Sequence, residues 1–177
     1  MALTGTPGTG KSSVARAIAP PVRSVEVGVL ALQAGAGRGR SRDIEVNVAR
    51  LGRWIRGHPP RGPTRLVVGH LSHLLPIRDA VVLRCHPVEL LARLRTARRG
   101  SASDRRENVV AETTDVVILE ALRRRRRVWE VDTTGRSVAD VAREVDAIVR
   151  DRAGPHHGSV DWLADPLVTD YLLPALR

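Results

Sequence analysis

Eight residues near the start of the chain have the types and spacing of a phosphate-binding loop. Residues 5 to 12 read Gly-Thr-Pro-Gly-Thr-Gly-Lys-Ser and match the pattern G-x-x-x-x-G-K-S. Glycines let backbone N–H groups turn toward phosphate oxygens, the lysine reaches the β- and γ-phosphates, and the serine hydroxyl can ligate Mg²⁺. Lys11 is also the only lysine among 29 basic residues, so a compact ammonium is kept here where arginine is used elsewhere. The loop predicts a site for the phosphates of a nucleotide.

The surroundings of the loop support this interpretation. A short apolar strand precedes it, and residues 12–19 are compatible with a helix. The amides at the start of that helix would add partial positive charge to an anion site. The alternative is a glycine-rich turn that matches the pattern by chance, but such a turn does not require a strand–loop–helix frame.

The elements that must position the loop follow an alternating pattern. Apolar runs alternate with helical patterns, which predicts an α/β fold of the P-loop NTPase type, with a five-stranded parallel sheet and helices on both faces. The predicted strands are residues 1–4, 22–27, 64–68, 80–84 and 127–132. The predicted helices after the first are residues 87–98, 107–125 and 138–150, the last of them capped by Ser137.

Two segments interrupt the alternation. Residues 28–63 contain a Gly/Arg-rich run, a short helix over 44–55 and a Pro/Gly/Arg turn, and residues from about 98 to 107 carry several arginines in a polar connection. In a P-loop kinase, insertions at these places hold the acceptor and cover the phosphates. Arg99 is the best single candidate for a lid arginine, although a solvated helix end would also explain it. We therefore predict a kinase domain over 1–152, followed by a linker and helical tail over 153–177.

Composition limits the setting further. The chain of 177 residues fits one domain, and its net charge of +10 favours a polyanionic partner or a polyphosphate substrate. A single cysteine, Cys85, excludes an internal disulfide. Neither a leader pattern nor a long apolar run is visible, which predicts a cytoplasmic protein without a membrane partner. The sequence gives no prediction of oligomeric state.

Six motifs follow one another along the chain. They are the loop at 5–12, Gly-His-Leu-Ser-His at 69–73, Leu-Arg-Cys-His-Pro at 83–87, Arg-Gly at 99–100, Arg-Glu-Asn-Val-Val-Ala-Glu at 106–112, and Asp-Thr-Thr-Gly-Arg-Ser at 132–137. Together they resemble the archaeal and eukaryotic adenylate kinase isoenzyme 6 family, over roughly residues 2–150. The resemblance implies a nucleoside monophosphate kinase that converts ATP and AMP to two ADP, with ATPase activity, and a monophosphate-binding segment over residues from about 24 to 50. It also implies a role in the maturation of the small ribosomal subunit, with a ribosomal protein and rRNA as partners.

The resemblance also implies roles for individual residues. Lys11, Arg99 and His70 would be catalytic, with Arg99 as the lid arginine and His70 positioning water or nucleotide. Ser12 would hold Mg²⁺ through the nucleotide. The residues that would contact ATP are Gly8, Gly10, Lys11, Ser12, Ser13 and Arg99.

The chain departs from the family where a carboxylate is expected. Val68 occupies the position of an aspartate or glutamate that helps to hold Mg²⁺ through water. Metal binding would then depend on Ser12 and the phosphates, or on a carboxylate such as Asp132 or Asp43. In the acceptor segment, Asn47 stands where the family usually has aspartate.

Three further interpretations stay open. A ribosome-assembly or RNA-binding factor that uses the nucleotide as a switch, with a vestigial kinase rate, fits the net charge and the five arginines at 123–127, which a solvated helix end also explains. A P-loop kinase for another small acceptor fits the same fold. A zinc site formed by Cys85, His86, His70 and His73 lacks the paired ligand spacing of structural zinc.

Overall fold

The central sheet has five parallel strands in the order β2-β5-β1-β6-β7, so the predicted sheet is confirmed. The computed structural model describes residues 1–39, 44–58, 65–98 and 100–172, without the side chains of Arg65 and Tyr171. A separate antiparallel pair is formed by β3 and β4. The strands are β1 (Ala2–Gly5), β2 (Arg23–Glu26), β3 (Gly37–Arg38), β4 (Glu45–Val46), β5 (Arg65–Val68), β6 (Asp79–Arg84) and β7 (Arg127–Asp132).

Seven α-helices connect and cover the strands within the described part of the chain. Ser137 caps the last of them through the amide of Asp140, as predicted. The helices are α1 (Lys11–Ala17), α2 (Val27–Gln33), α3 (Val48–Gly57), α4 (Pro87–Thr96), α5 (Ala102–Thr113), α6 (Val116–Arg124) and α7 (Val138–Val149).

Successive apolar residues of the strands pack against helices on opposite faces of the sheet. Val81 lies in a core cluster with residues of α1 and α7, and its neighbour Val82 lies in a cluster with α6. Val67 packs against α2 and α3 on the side opposite to Val68. Successive side chains of a strand point to opposite faces, which explains why these strands are apolar throughout.

The single helix predicted over 107–125 is wrong, because two helices, α5 and α6, occupy this region. Helix α5 begins five residues earlier than predicted, since Ser101 and Asp104 form a reciprocal capping box. It ends before Asp115, whose φ of 58° is left-handed, a conformation that aspartate tolerates better than most residues. In contrast, the helix predicted over 44–55 begins later than predicted, at Val48, because Asn47 accepts the Arg50 amide as its cap.

The segment predicted as a linker runs beside strand β7. His156 forms a parallel bridge with Trp129, and its carbonyl accepts the Glu130 amide at 2.8 Å. A 3₁₀ turn (Trp162–Ala164) and a π-helix (Leu167–Leu172) follow, and Val168 and Leu172 join the buried cluster of α4 and α5. Residues 173–177 lie outside the described ranges. None of the helices in those ranges has the length and apolarity needed to cross a bilayer.

Candidate nucleotide-binding site

The loop between β1 and α1 has a backbone that glycine alone adopts readily. Gly5, Gly8 and Gly10 have φ values of 134°, 100° and 93°. A Cβ on Gly5 would lie 2.3 Å from the Leu83 carbonyl oxygen, and one on Gly8 would lie 2.7 Å from Leu90 of α4. A Cβ on Gly10 would meet no atom within 4 Å. The loop is therefore packed against the sheet and α4 on one side, and it is open at Gly10.

Lys11 holds the loop closed on itself. The lysine is only 9% exposed, and its Nζ donates to the carbonyl oxygens of Gly5 and Thr6, each at 2.8 Å. The hydroxyl of Thr9 donates to the same Thr6 carbonyl at 3.0 Å. An ammonium held inside a loop with left-handed glycines fits the phosphates of a nucleotide, because both the cation and the backbone amides attract anions.

Ser12 offers an oxygen that suits Mg²⁺. The residue lies in the first turn of α1, partly exposed, and among the described residues its hydroxyl has no hydrogen-bond partner. Hard cations prefer oxygen ligands, and Mg²⁺ commonly keeps waters and phosphate oxygens besides one or two protein ligands. A magnesium ion bound together with the nucleotide therefore fits this donor. Ser13 follows it on the same partly exposed turn.

The position that carries a carboxylate in the family provides none in this structure. Val68 is 1% exposed and packs in the core against α1, so this position contributes no ligand. One oxygen of Asp132 accepts both the amide and the hydroxyl of Thr134, and Asp43 lies outside the described residues. Within those residues, no three His, Cys, Asp or Glu side chains meet in a possible metal site. Ser12 therefore remains the candidate protein ligand for Mg²⁺.

His70 lies at the same edge of the sheet as Lys11. It follows β5 and Gly69, and its carbonyl oxygen lies 3.2 Å from the Thr4 hydroxyl oxygen. His70 is exposed at one side, but the surrounding protein partly desolvates its ring. This desolvation, and after it the charges of Lys11 and His73, lower the pKa of His70 to about 4. The imidazole is therefore neutral at pH 7, with one nitrogen that donates and one that accepts.

His73 connects this edge of the sheet to helix α6. Its Nδ1 lies 2.8 Å from the Thr4 hydroxyl, and its Nε2 lies 2.9 Å from a carboxylate oxygen of Glu120 on α6. Burial lowers the pKa of His73, although Glu120 opposes this shift. A neutral ring has one N–H, and a carboxylate only accepts, so the proton lies on Nε2 and Nδ1 accepts from Thr4.

A buried ionic cluster behind the loop was missed by the sequence analysis. Arg84 of β6 is 2% exposed and contacts Glu112 at 2.7 Å, Glu130 at 2.6 Å, and Asp115. The sequence does contain an indication of this cluster, because an arginine within an apolar strand, such as Arg84, requires carboxylate partners when it is buried. Glu112 also accepts the Thr6 hydroxyl at 2.5 Å, which joins the cluster to the phosphate loop.

The segment predicted as a lid, residues 98–107, is only in part a connection between α4 and α5. Residues 102–107 form the start of α5 instead, because the capping box at Ser101 begins this helix earlier than predicted. Arg98 and Gly100 have φ values of 48° and 66°, and Arg105 donates to the Gly100 carbonyl oxygen. Arg99 lies outside the described residues, so its predicted role stays a prediction.

The five arginines at 123–127, in the last turn of α6 and the residues that follow it, divide into two groups. Arg125 donates to the carbonyl oxygens of Leu75 and Ile77, and Arg127 pairs with Asp79 and Asp151, whereas Arg123, Arg124 and Arg126 are exposed.

The ligands proposed for zinc do not come together. Cys85 is buried, and burial raises the pKa of its thiol to about 12. The ring of His86 instead faces Asp165 of the tail at 3.0 Å and meets Trp162 edge to face.

Comparisons with known proteins agree with this geometry. A family model described as an AAA domain matches residues 1–115. A protein from Pyrococcus furiosus named "Putative adenylate kinase" is 37% identical over all of this chain and 97% of its own length. Proteins of the same name from Thermococcus onnurineus and Archaeoglobus fulgidus are 37% and 40% identical, covering 98% and 93% of this chain and 97% and 92% of their own lengths.

Solved structures share the fold at lower identity. A crystal structure of an uncharacterized protein from Eubacterium ventriosum superposes with a TM-score of 0.53 at 13% identity, covering 85% of this chain and 97% of that one. At this identity the likeness concerns the fold alone. Together with the phosphate loop and the parallel sheet, these matches confirm the predicted fold class. The chain belongs to the AAA-domain family of P-loop proteins and, within it, to the family represented by these archaeal proteins named as adenylate kinases.

Proposed function

We propose that this protein is a nucleoside monophosphate kinase that transfers the γ-phosphoryl group of ATP to AMP and releases two ADP. The observation that carries the proposal is the closed phosphate loop, in which Lys11 lies between the carbonyls of Gly5 and Thr6. The names of relatives that match this chain over nearly its full length support the reaction and the acceptor. ATP hydrolysis without an acceptor is part of the same proposal.

Catalysis would consist mainly of positioning and charge neutralisation, because phosphoryl transfer asks little covalent chemistry of the protein. An oxygen of the AMP phosphate attacks the γ-phosphorus of ATP, and the bond from that phosphorus to the β–γ bridging oxygen breaks. The loop amides at Gly8 and Gly10 would hold the phosphates, and Lys11 would neutralise the charge on the transferring group. Mg²⁺ held through Ser12 would supply further charge neutralisation.

His70 and Arg99 complete the proposed catalytic set. A neutral His70 can hold a water or a phosphate hydroxyl without adding charge, which suits the role of positioning. Arg99, in the connection before α5, would close over the γ-phosphate with its planar guanidinium. The acceptor segment from about 24 to 50 offers Arg38 and Arg50 as exposed cations for the AMP phosphate.

Product analysis tests the proposal directly. The purified protein is incubated with ATP and each nucleoside monophosphate, with and without Mg²⁺, and the nucleotides are separated by chromatography. We expect two ADP for each AMP consumed, after subtraction of the ADP that forms in a parallel incubation with ATP alone, and only when Mg²⁺ is present. If another nucleoside monophosphate is phosphorylated instead of AMP, that nucleotide is the acceptor and the assignment of AMP is wrong. A lack of any product from every monophosphate would contradict the kinase.

Exposed arginines favour a second candidate function, binding to small-subunit rRNA or a ribosomal protein. Arg123 and Arg124 in the last turn of α6 and Arg126 just beyond it are exposed, and the net charge is +10. Neutralisation of RNA phosphates makes binding depend steeply on salt. We expect the triple alanine variant of these arginines to lose affinity for small-subunit RNA and to show a shallower salt dependence. A triple variant of the exposed Arg16, Arg95 and Arg152, with the same change in charge, serves as the control. Equal losses in the two variants would contradict a defined RNA surface.

A further inference from the structure

A side chain of the phosphate loop is hydrogen-bonded to an element far away in the sequence. The hydroxyl of Thr6 donates to Oε2 of Glu112 at 2.5 Å, across 106 residues of sequence. Both side chains are buried, Thr6 at 1% and Glu112 at 2% exposure. A hydrogen bond from a hydroxyl to a buried carboxylate is charge-assisted, and such bonds are stronger than bonds between neutral groups.

Glu112 is held in place by its other oxygen. Its Oε1 accepts from the Arg84 guanidinium at 2.7 Å, from the Cys85 amide at 3.1 Å and from the Trp162 indole at 3.3 Å. These three donors fix the position of the carboxylate independently of its bond to Thr6. A side chain that is locked in this way can hold a neighbour in one position.

Thr6 is also the residue on which the loop closes. Its carbonyl oxygen accepts both the Lys11 ammonium and the Thr9 hydroxyl. The position of this carbonyl sets where the ammonium lies, and the Thr6 hydroxyl ties the same residue to α5 through Glu112. Helix α5 begins directly after the connection that contains Gly100 and Ser101, where the lid is expected.

We propose that Glu112 is a positioning residue, which holds the phosphate loop in its nucleotide-binding conformation through Thr6 and couples that loop to helix α5. Without this bond, the loop occupies its closed conformation for only part of the time. The apparent affinity for ATP then falls in proportion to the competent fraction. This inference rests on the proposed function for its ligand, ATP.

Substitutions at Thr6 test the bond without removing the buried carboxylate, whose loss could prevent folding. Thr6→Val keeps the side chain's shape but lacks the hydroxyl, and Thr6→Ser keeps the hydroxyl. Thr113→Val is the matched control, because Thr113 is 1% exposed and its hydroxyl donates only within α5, to Val109. ATP affinity is measured by calorimetry for all three, and their thermal unfolding midpoints are compared.

We expect Thr6→Val to bind ATP about tenfold more weakly than the wild type, the order of effect of a lost charge-assisted hydrogen bond. Thr6→Ser should recover most of that affinity, and Thr113→Val should bind as the wild type does. Hydrogen exchange adds a second readout, since ATP should protect the amides of α5 in the wild type and protect them less in Thr6→Val. Equal ATP affinity of Thr6→Val and Thr113→Val would overturn this inference alone. A wild type that binds no ATP would overturn the proposed function together with it.

Discussion

The guanidinium of Arg84 and the carboxylate of Glu130 meet inside the sheet, with Nη1 2.6 Å from Oε1 and each residue 2% exposed. The two residues lie on the adjacent strands β6 and β7. The second oxygen of Glu130 accepts the amides of Gly158 and Ser159 at 2.7 and 3.0 Å. One ion pair therefore connects the core of the sheet to the C-terminal segment, and the same arginine reaches Glu112 behind the phosphate loop.

Replacement of Arg84 should be strongly destabilising. Arg84→Met leaves the buried carboxylates of Glu112 and Glu130 without their cation, and removal of one partner of a buried pair costs about 3–5 kcal/mol. Unfolding in urea measures the free energy of unfolding of each variant. Arg143→Met is the control, because Arg143 is exposed and its surface pair with Asp140 is worth at most about 1 kcal/mol. Similar decreases in the free energy of unfolding of the two variants would show that the buried ionic cluster contributes no more to stability than a surface ion pair.

The C-terminal segment should contribute to the stability of the whole domain. Trp162 is 9% exposed, packs beside His86 and Arg84, and donates to Glu112. We expect Trp162→Ala to lower the free energy of unfolding by about 3 kcal/mol, as large-to-small core substitutions do. The adjacent Leu163 is 51% exposed, so Leu163→Ala should change it by less than about 0.5 kcal/mol. An unchanged stability of Trp162→Ala would mean that the segment does not pack as described.

Stability should fall in mild acid because of His70. Its pKa is lowered from 6.5 to about 4 in the folded protein, first because the surrounding protein partly desolvates this surface residue and then because of the nearby charge of Lys11. Between these values the unfolded chain binds a proton that the folded chain does not, so folding is favoured less as the pH falls from 6.5 toward 4. Denaturant unfolding at several pH values measures this slope. The variant His70→Asn should show a shallower slope in that window, and an identical slope would contradict the lowered pKa.

Local patterns were sufficient to predict the sheet and the phosphate loop. The apolar runs over β5, β6 and β7 and the Gly-x-x-x-x-Gly-Lys-Ser pattern each depend on neighbouring residues, and the strand bounds agree within about two residues. The cap at Ser137 and the proline at the start of α4 are local signals of the same kind. His70 lies beside the loop because parallel strands end at a common edge.

Contacts between distant residues could not be predicted from such patterns. The bond from Thr6 to Glu112 spans 106 residues, and the tail reaches the same carboxylate through Trp162. Nothing local in the sequence indicates that Glu112 faces inward, because α5 is mostly polar. The end of α5 before Asp115 was also missed, since a helix break there depends on a left-handed aspartate next to Arg84.

The binding of ATP to the loop at Lys11 is the claim on which this account depends, and calorimetry with MgATP tests it most directly. Wild type and Arg16→Ala, which removes an exposed charge from the same helix, should bind MgATP with equal affinity. Lys11→Ala, which lacks the ammonium between the Gly5 and Thr6 carbonyls, should give no heat of binding. Undiminished binding by Lys11→Ala, or no binding by the wild type, would contradict the account.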